Sequence, residues 1–165
     1  MDVPSYPEHQ QWMEKAIALA TQAGAAGEVP VGAVIIGPDG DCIAEGENKR
    51  ERDHDPTAHA EIVALRAASQ VIQSWRLHEC RLYVTLEPCP MCAGAIIQAR
   101  LGLLVYGAHD PKTGAIRSVL NLPDSPCSYH KLPVIAGVHE PTCRQQLQEW
   151  FARRRQQKKN AAPSP

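Results

Sequence analysis

Two short runs hold the residues most able to do chemistry. Leu86-Glu87-Pro88-Cys89-Pro90-Met91-Cys92 offers two thiols three positions apart. Ala58-His59-Ala60-Glu61 offers an imidazole and a carboxylate two positions apart. Two soft sulfurs and one imidazole suit zinc by ligand type. His59, Cys89 and Cys92 as the three protein ligands leave a fourth tetrahedral position for water, the arrangement of a catalytic centre rather than a structural one. A bound Zn²⁺ lowers the pKa of its water to about 7. Glu61 is then the natural proton carrier, provided it lies close to the metal without bonding to it. If Glu61 ligates instead, the site is closed and structural.

Each run alone is weak. His-x-Glu is common by chance, and a lone Cys-x-x-Cys also serves dithiol redox proteins or half of a zinc ribbon. A four-cysteine site needs a second pair, and Cys42, Cys80, Cys127 and Cys143 are not spaced to supply one. Those four read as small apolar residues.

The elements around the runs must bring them together. The spacing predicts a helix over Gln10–Gly24, a buried strand over Val31–Ile36, a Gly37-Pro38-Asp39-Gly40 turn and a returning strand over Cys42–Glu47. Asn48–Asp55 is a charged loop, and Thr57 or Asp55 can cap a helix that runs to about Ser69. Val71–Glu79 is ambiguous. Arg81–Leu86 is a strand, Cys89–Arg100 a helix favoured at its start by Pro88 and Pro90, and Leu103–Gly107 another strand. Asp110–Tyr129, with Pro111, Gly114, Pro123 and Pro126, is a long irregular cover of the kind that tends to be functional. Leu132–Val138 is a short fifth strand and Glu140–Lys159 a closing helix. Strands alternating with helices give an α/β protein, a three-layer α/β/α sandwich on a five-stranded mixed sheet. His59 and Glu61 reach one point only in the first turn of a helix aimed end-on at it, and Cys89 with Cys92 likewise. Two helix starts therefore face one metal, delivered by two adjacent strands, and their positive ends favour thiolates.

Composition is consistent with a single domain over 1–165, carrying a basic helix or tail at about 140–160. No apolar run is long enough to cross a membrane. Met1-Asp2-Val3-Pro4-Ser5-Tyr6-Pro7 lacks the basic start and apolar run of a signal peptide, so a cytoplasmic location is the default expectation. The net charge of −1 is unevenly spread. Arg153, Arg154, Arg155, Lys158 and Lys159 follow the last acidic residue, leaving 12 basic against 18 acidic residues before them, a net −6. A basic tail on an acidic body suits an anionic partner, or is a solvated helix end where cations complement the dipole.

Together, in this order, the runs match the H-x-E…P-C-x-x-C pattern of zinc deaminases. Asp55-Pro56-Thr57-Ala58-His59-Ala60-Glu61 with Leu86–Ala95 resembles the cytidine deaminase superfamily, and within it the bacterial tRNA-specific adenosine deaminases. The likeness runs from about Trp12 to Lys159. Gly107-Ala108-His109-Asp110-Pro111-Lys112-Thr113-Gly114-Ala115 resembles the segment that typifies the tRNA enzymes, and Trp150-Phe151 with Arg153 and Arg154 their basic terminal helix. The resemblance implies a homodimer with one Zn²⁺ per subunit, converting adenosine to inosine at the wobble position of a tRNA anticodon stem-loop. It implies His59, Cys89 and Cys92 on zinc and Glu61 as catalytic proton shuttle. It puts Asn48 on the base, Val31, Ala60, Leu86 and Pro88 around it, and Asp110 near the RNA. It implies Lys112, Arg153 and Arg154 on the RNA backbone. Ile116-Arg117 and Tyr129 depart from the family pattern. Tyr129 is either a stacking platform for an extruded base or a solvent-facing loop residue. Two rival readings remain: a deaminase of a free base or nucleoside such as guanine or cytosine, and a non-catalytic zinc-stabilised RNA-binding protein.

Overall fold

The computed structural model describes residues 4–161. The first three residues of the N-terminal stretch, and the last four of the 1–165 span, lie outside the described residues. Helix α1 (Tyr6–Ala25) starts four residues earlier than apolar periodicity predicts. The Ser5 N–H donates to the Glu8 carboxylate at 2.7 Å, and Pro7 sits in the first turn. That pairing satisfies one of the donors a helix start leaves open. Strands β1 (Gly32–Ile36) and β2 (Cys42–Glu47) form the expected hairpin. Then come α2 (Ala60–Ile72), β3 (Arg81–Leu86), α3 (Pro90–Gln98) and β4 (Leu103–Ala108). A short β5 (Val134–Ala136) and α4 (Glu140–Ala161) close the chain. The ambiguous 71–79 stretch is the last turn of α2, closed by Gln73 at φ 55, and a loop.

The sheet order is β2-β1-β3-β4-β5. β1 is antiparallel to both neighbours, while β3–β4 and β4–β5 are parallel, so the five-stranded sheet is mixed as expected. Alternate residues of β3 feed two cores, because strand side chains alternate in direction. Leu82 and Val84 pack with Ala64, Leu65, Ala93 and Ile96 of α2 and α3. Tyr83 packs on the other face with Met13 and Ala16 of α1 and Cys143 of α4. Three layers result.

Two corrections bear on the site. The strands that precede α2 and α3 are β2 and β3, and β1 lies between them, so they are not adjacent. Their helices still converge, because α2 and α3 cover the same face of the sheet. Nor do Asp55 and Thr57 cap α2. Asp55 Oδ1 accepts the Thr57 N–H and hydroxyl at 2.8 and 2.7 Å within the preceding turn, and His59 itself is the N-cap residue.

Close approach of α2 to β2 depends on Gly46. A Cβ there would meet the Ala60 carbonyl and the Ala64 backbone nitrogen. The missing side chain lets the first turn of α2, with Ala60 and Glu61, lie flat against the sheet.

Candidate active site

Each pair of chemical residues sits at a helix start. His59 is the N-cap of α2, and Cys89 the N-cap of α3, both with extended backbone and neither using its side chain to cap. Pro90 in the first turn of α3 is preset for helix and has no N–H to leave unpaired. Cys92 follows one turn later and is fully buried. The structure thereby brings His59 Nδ1 to 3.6 Å from the Sγ of both Cys89 and Cys92.

These three donors form the one group of metal-ligating type found among the described residues, all within 4.8 Å of one another. A tetrahedral zinc with bonds of about 2.3 Å to sulfur and 2.05 Å to nitrogen separates those atoms by roughly 3.5 Å. The donor set fits such an ion. Glu61 is buried nearby but is not part of the ligating group.

The charges agree with that division of labour. Hydrogen bonding from Cys92, then from His59, holds the Cys89 thiol down at about 4 against the cost of burial. The same bond with Cys89, together with burial, drives the Cys92 thiol upward. His59 is raised, chiefly by its bond to Cys89, with Arg50 acting in the opposite sense. Burial lifts the Glu61 carboxyl to about 7, with the Cys89 charge reinforcing it and His59 opposing. A carboxyl poised near neutrality suits proton transfer in both directions.

A cavity of about 140 Å³ opens beside the group. Of the residues singled out in the sequence, Val31, Asn48, His59, Ala60, Glu61, Leu86, Cys89 and Asp110 all line it. Asn48 Nδ2 donates to the Val29 carbonyl at 3.3 Å, while its buried Oδ1 has no protein partner. An acceptor left open in a cavity wall is a docking point for a ligand N–H. Pro88 is not part of the lining. Its carbonyl accepts the Ala115 N–H at 2.9 Å and ties down the loop after β4. Lys112 is exposed on that loop, and Arg153 and Arg154 line a separate groove between α1 and α4. Tyr129 is 92% exposed.

The Asp110 side chain is spent on its own loop. Its Oδ1 accepts the N–H groups of Lys112 and Thr113 at 2.9 and 3.2 Å, and its Oδ2 the Thr113 hydroxyl at 2.7 Å. Sequence reasoning missed Val29, Arg50, Glu87 and Thr113 in the lining. It also missed Glu28. This carboxylate is buried and takes the N–H groups of Glu51 and Arg52 at 3.2 and 2.8 Å, fixing the loop that carries Asn48. Glu87 does the same for the other loop. It accepts N–H bonds from Asp110, Ile116, Arg117 and Ser118 at 2.7–3.2 Å, plus the Ser118 hydroxyl. Burial works against its charge, yet those bonds bring the carboxyl below its ordinary value.

A model of the MafB19-like deaminase family matches residues 7–159. The chain belongs to that deaminase family. The deaminase is 48% identical over 150 residues to the tRNA-specific adenosine deaminase of Haemophilus influenzae, covering 91% of this chain and 87% of that protein. It is 40% identical over 154 residues to the tRNA-specific adenosine deaminase of Bacillus subtilis, covering 93% and 95%. Among solved structures it resembles a tRNA:A34 deaminase studied for A-to-I editing at the wobble position of transfer RNA. The TM-score is 0.81 at 43% identity, with 83% of this chain and 99% of that one covered.

Proposed function

We propose that the deaminase hydrolyses adenosine to inosine at the wobble position of a tRNA anticodon stem-loop, as a hydrolase acting on a cyclic amidine. The observation that carries this reading is the His59–Cys89–Cys92 cluster opening onto a cavity walled by Glu61 and Asn48. The relatives' tRNA specificity supports the substrate.

His59, Cys89 and Cys92 would hold one Zn²⁺ per subunit, and such an ion makes water a nucleophile at neutral pH. Glu61 takes the proton that the water gives up. It gives that proton to the ring nitrogen. It then takes the second proton from the hydroxyl newly bonded to the ring carbon and delivers it to the departing amine, so the carbon–nitrogen bond breaks with ammonia leaving as a neutral molecule. Asn48 accepts an N–H of the base at its open Oδ1, while Val31, Ala60 and Leu86 give the ring apolar walls. A base stacked in a helix cannot enter, whereas one splayed from a loop can. Asp110 orders its loop, and Pro88 fastens it. Lys112, Arg153 and Arg154 meet phosphates on the exterior. The same reading includes a homodimer in the cytoplasm. Exposed Val71 in the last turn of α2, exposed Trp75 just after that helix and partly exposed Met91 on α3 support a second copy. Among the described residues no helix is long and apolar enough to cross a membrane.

The test is inosine formation on a stem-loop bearing a wobble adenosine, against free adenosine, cytidine and guanine. Product on the stem-loop alone is expected. Turnover of a free base with none on the loop would keep the chemistry and overturn the substrate.

A further inference from the structure

The loop between β2 and α2 carries Lys49-Arg50-Glu51-Arg52, and the fold treats its two arginines differently. Arg52 is committed to the protein. Its guanidinium lies 2.9 Å from Glu47 Oε1, 3.2 Å from the Asn48 carbonyl and 3.7 Å from the buried Glu28. The backbone around Arg50 is pinned on both sides. Lys49 N–H bonds the Ala58 carbonyl at 2.9 Å, Arg50 C=O accepts the Asp55 N–H at 3.2 Å, and Glu28 holds the next two N–H groups. The Arg50 side chain, in contrast, is half-exposed and lines the cavity with Asn48 and His59. Its ion-pair partner is the neighbouring Glu51, 73% exposed and 3.4 Å away. Pairs of that kind contribute little in water and are readily exchanged.

Arg50 is the one permanent cation among the described residues that line the cavity. Asp110, arriving from the β4 side, has already given both carboxylate oxygens to Lys112 and Thr113. At about 140 Å³ the cavity is well below the roughly 300–1,000 Å³ that encloses a whole drug-sized ligand. It takes a base and leaves the ribose and its phosphates at the mouth, beside Arg50.

We propose that Arg50 is a binding residue for the RNA strand: its guanidinium takes the phosphodiester flanking the target adenosine, replacing Glu51 as its partner. A planar guanidinium matches two phosphate oxygens at once, which fixes the strand's direction as well as its distance. The inference rests on the RNA reading above and adds to it a named contact at the reacting nucleotide.

Binding of the stem-loop is measured for wild type, Arg50→Gln and Arg50→Lys between about 50 and 200 mM salt. Each is tested on unmodified RNA and on RNA with a neutral methylphosphonate on the 5′ or the 3′ side of the adenosine. Zinc content is read in parallel and is expected to be equal. Arg50→Gln should weaken binding roughly five- to tenfold, and the slope of log affinity against log salt should shrink by about 0.7. Arg50→Lys should keep the slope and recover only part of the affinity. One methylphosphonate should weaken the wild type by the same factor and leave Arg50→Gln no weaker. Equal slopes in wild type and Arg50→Gln, or equal penalties from both methylphosphonates in the two proteins, would overturn the assignment. So would a contact that appears with adenosine 5′-monophosphate and not with the strand. Deamination of the loop with an unchanged slope removes this inference alone, whereas a wild type that neither binds nor deaminates the loop removes the RNA reading with it.

Discussion

The Glu87 carboxylate lies under the loop after β4 and accepts the Arg117 N–H at 2.7 Å, across 30 positions of chain. Four N–H groups and the Ser118 hydroxyl converge on it, so one buried charge organises the wall that Asp110 and Thr113 give the cavity. Removing the carboxylate leaves those donors, among them the buried Ile116 N–H, without their shared acceptor. Glu87→Ala should cost about 2–4 kcal/mol in urea unfolding, and Glu87→Gln less, because an amide oxygen still accepts. Limited proteolysis should then cut within residues 110–120 of the alanine variant first. Resistance equal to wild type would show that the loop does not depend on Glu87.

Glu61 makes a separable prediction. It lies outside the ligating group, so Glu61→Gln should retain one zinc per chain while deamination falls about 10²- to 10⁴-fold. Metal analysis and single-turnover inosine formation on the same sample provide the check. Loss of metal together with activity would make Glu61 a ligand, and the site closed.

Removal of metal should expose the thiol asymmetry. With the ion chelated, Cys89 is held at about 4 by Cys92 and His59, whereas burial raises Cys80 and Cys143. Alkylation at pH 6 should therefore modify Cys89 ahead of Cys80 and Cys143, since the thiolate is the nucleophile. Peptide mapping of the alkylated protein reads the order. Protection of Cys89 on adding zinc back would complete the result, and preferential labelling of Cys80 or Cys143 would contradict it.

How much of this was legible beforehand follows from locality. His59, Glu61, Cys89 and Cys92 declare themselves by type and spacing within a few residues, and the strands by unbroken apolar runs such as Val34-Ile35-Ile36. The Ser5–Glu8 pairing was equally local, but it precedes the apolar periodicity from which α1 was read. Glu28 and Glu87 could not be recognised, because what makes them important is burial beneath loops brought in from 23 to 31 positions away. Nothing in an isolated Glu signals that. The insertion of β1 between β2 and β3 is likewise a tertiary choice, since β1 pairs with both. Arg50 and Arg52 look alike in sequence, and only the position of Glu28 and Glu47 assigns one to the fold and one to the cavity mouth.

Buried His9 predicts a pH dependence of stability remote from the site. Its Nδ1 lies 2.9 Å from the Tyr83 hydroxyl, and burial holds the imidazole below its ordinary 6.5, with Arg81 adding to the effect. The unfolded chain then binds a proton more readily than the native one. Stability contributed by neutral His9 is complete above about pH 6.5 and declines as pH falls through the window below it, at no more than about 1.4 kcal/mol per pH unit. His9→Gln should flatten the fall in Tm between pH 7 and pH 5 relative to wild type. Parallel curves for the two proteins would sink the assignment.

Gly46 connects packing directly to chemistry. A methyl group there would press on the Ala60 carbonyl and the Ala64 nitrogen, both backbone atoms that cannot swing aside. Ala60 sits between His59 and Glu61, so relief requires α2 to move at the turn that carries the proposed metal ligand and the proposed proton shuttle. Gly46→Ala should cost about 1–3 kcal/mol in stability. It should also lower turnover by more than that loss of folded protein explains, because a displacement of about 1 Å at a catalytic group can cost on the order of a hundredfold. Gly40→Ala provides the comparison. Gly40 has φ +87 but nothing within 4 Å of its added Cβ, so that variant should lose stability while each folded molecule keeps its turnover. Rates normalised to folded, zinc-loaded enzyme distinguish the two. Equal normalised rates would mean that α2 absorbs the extra methyl without moving His59 or Glu61.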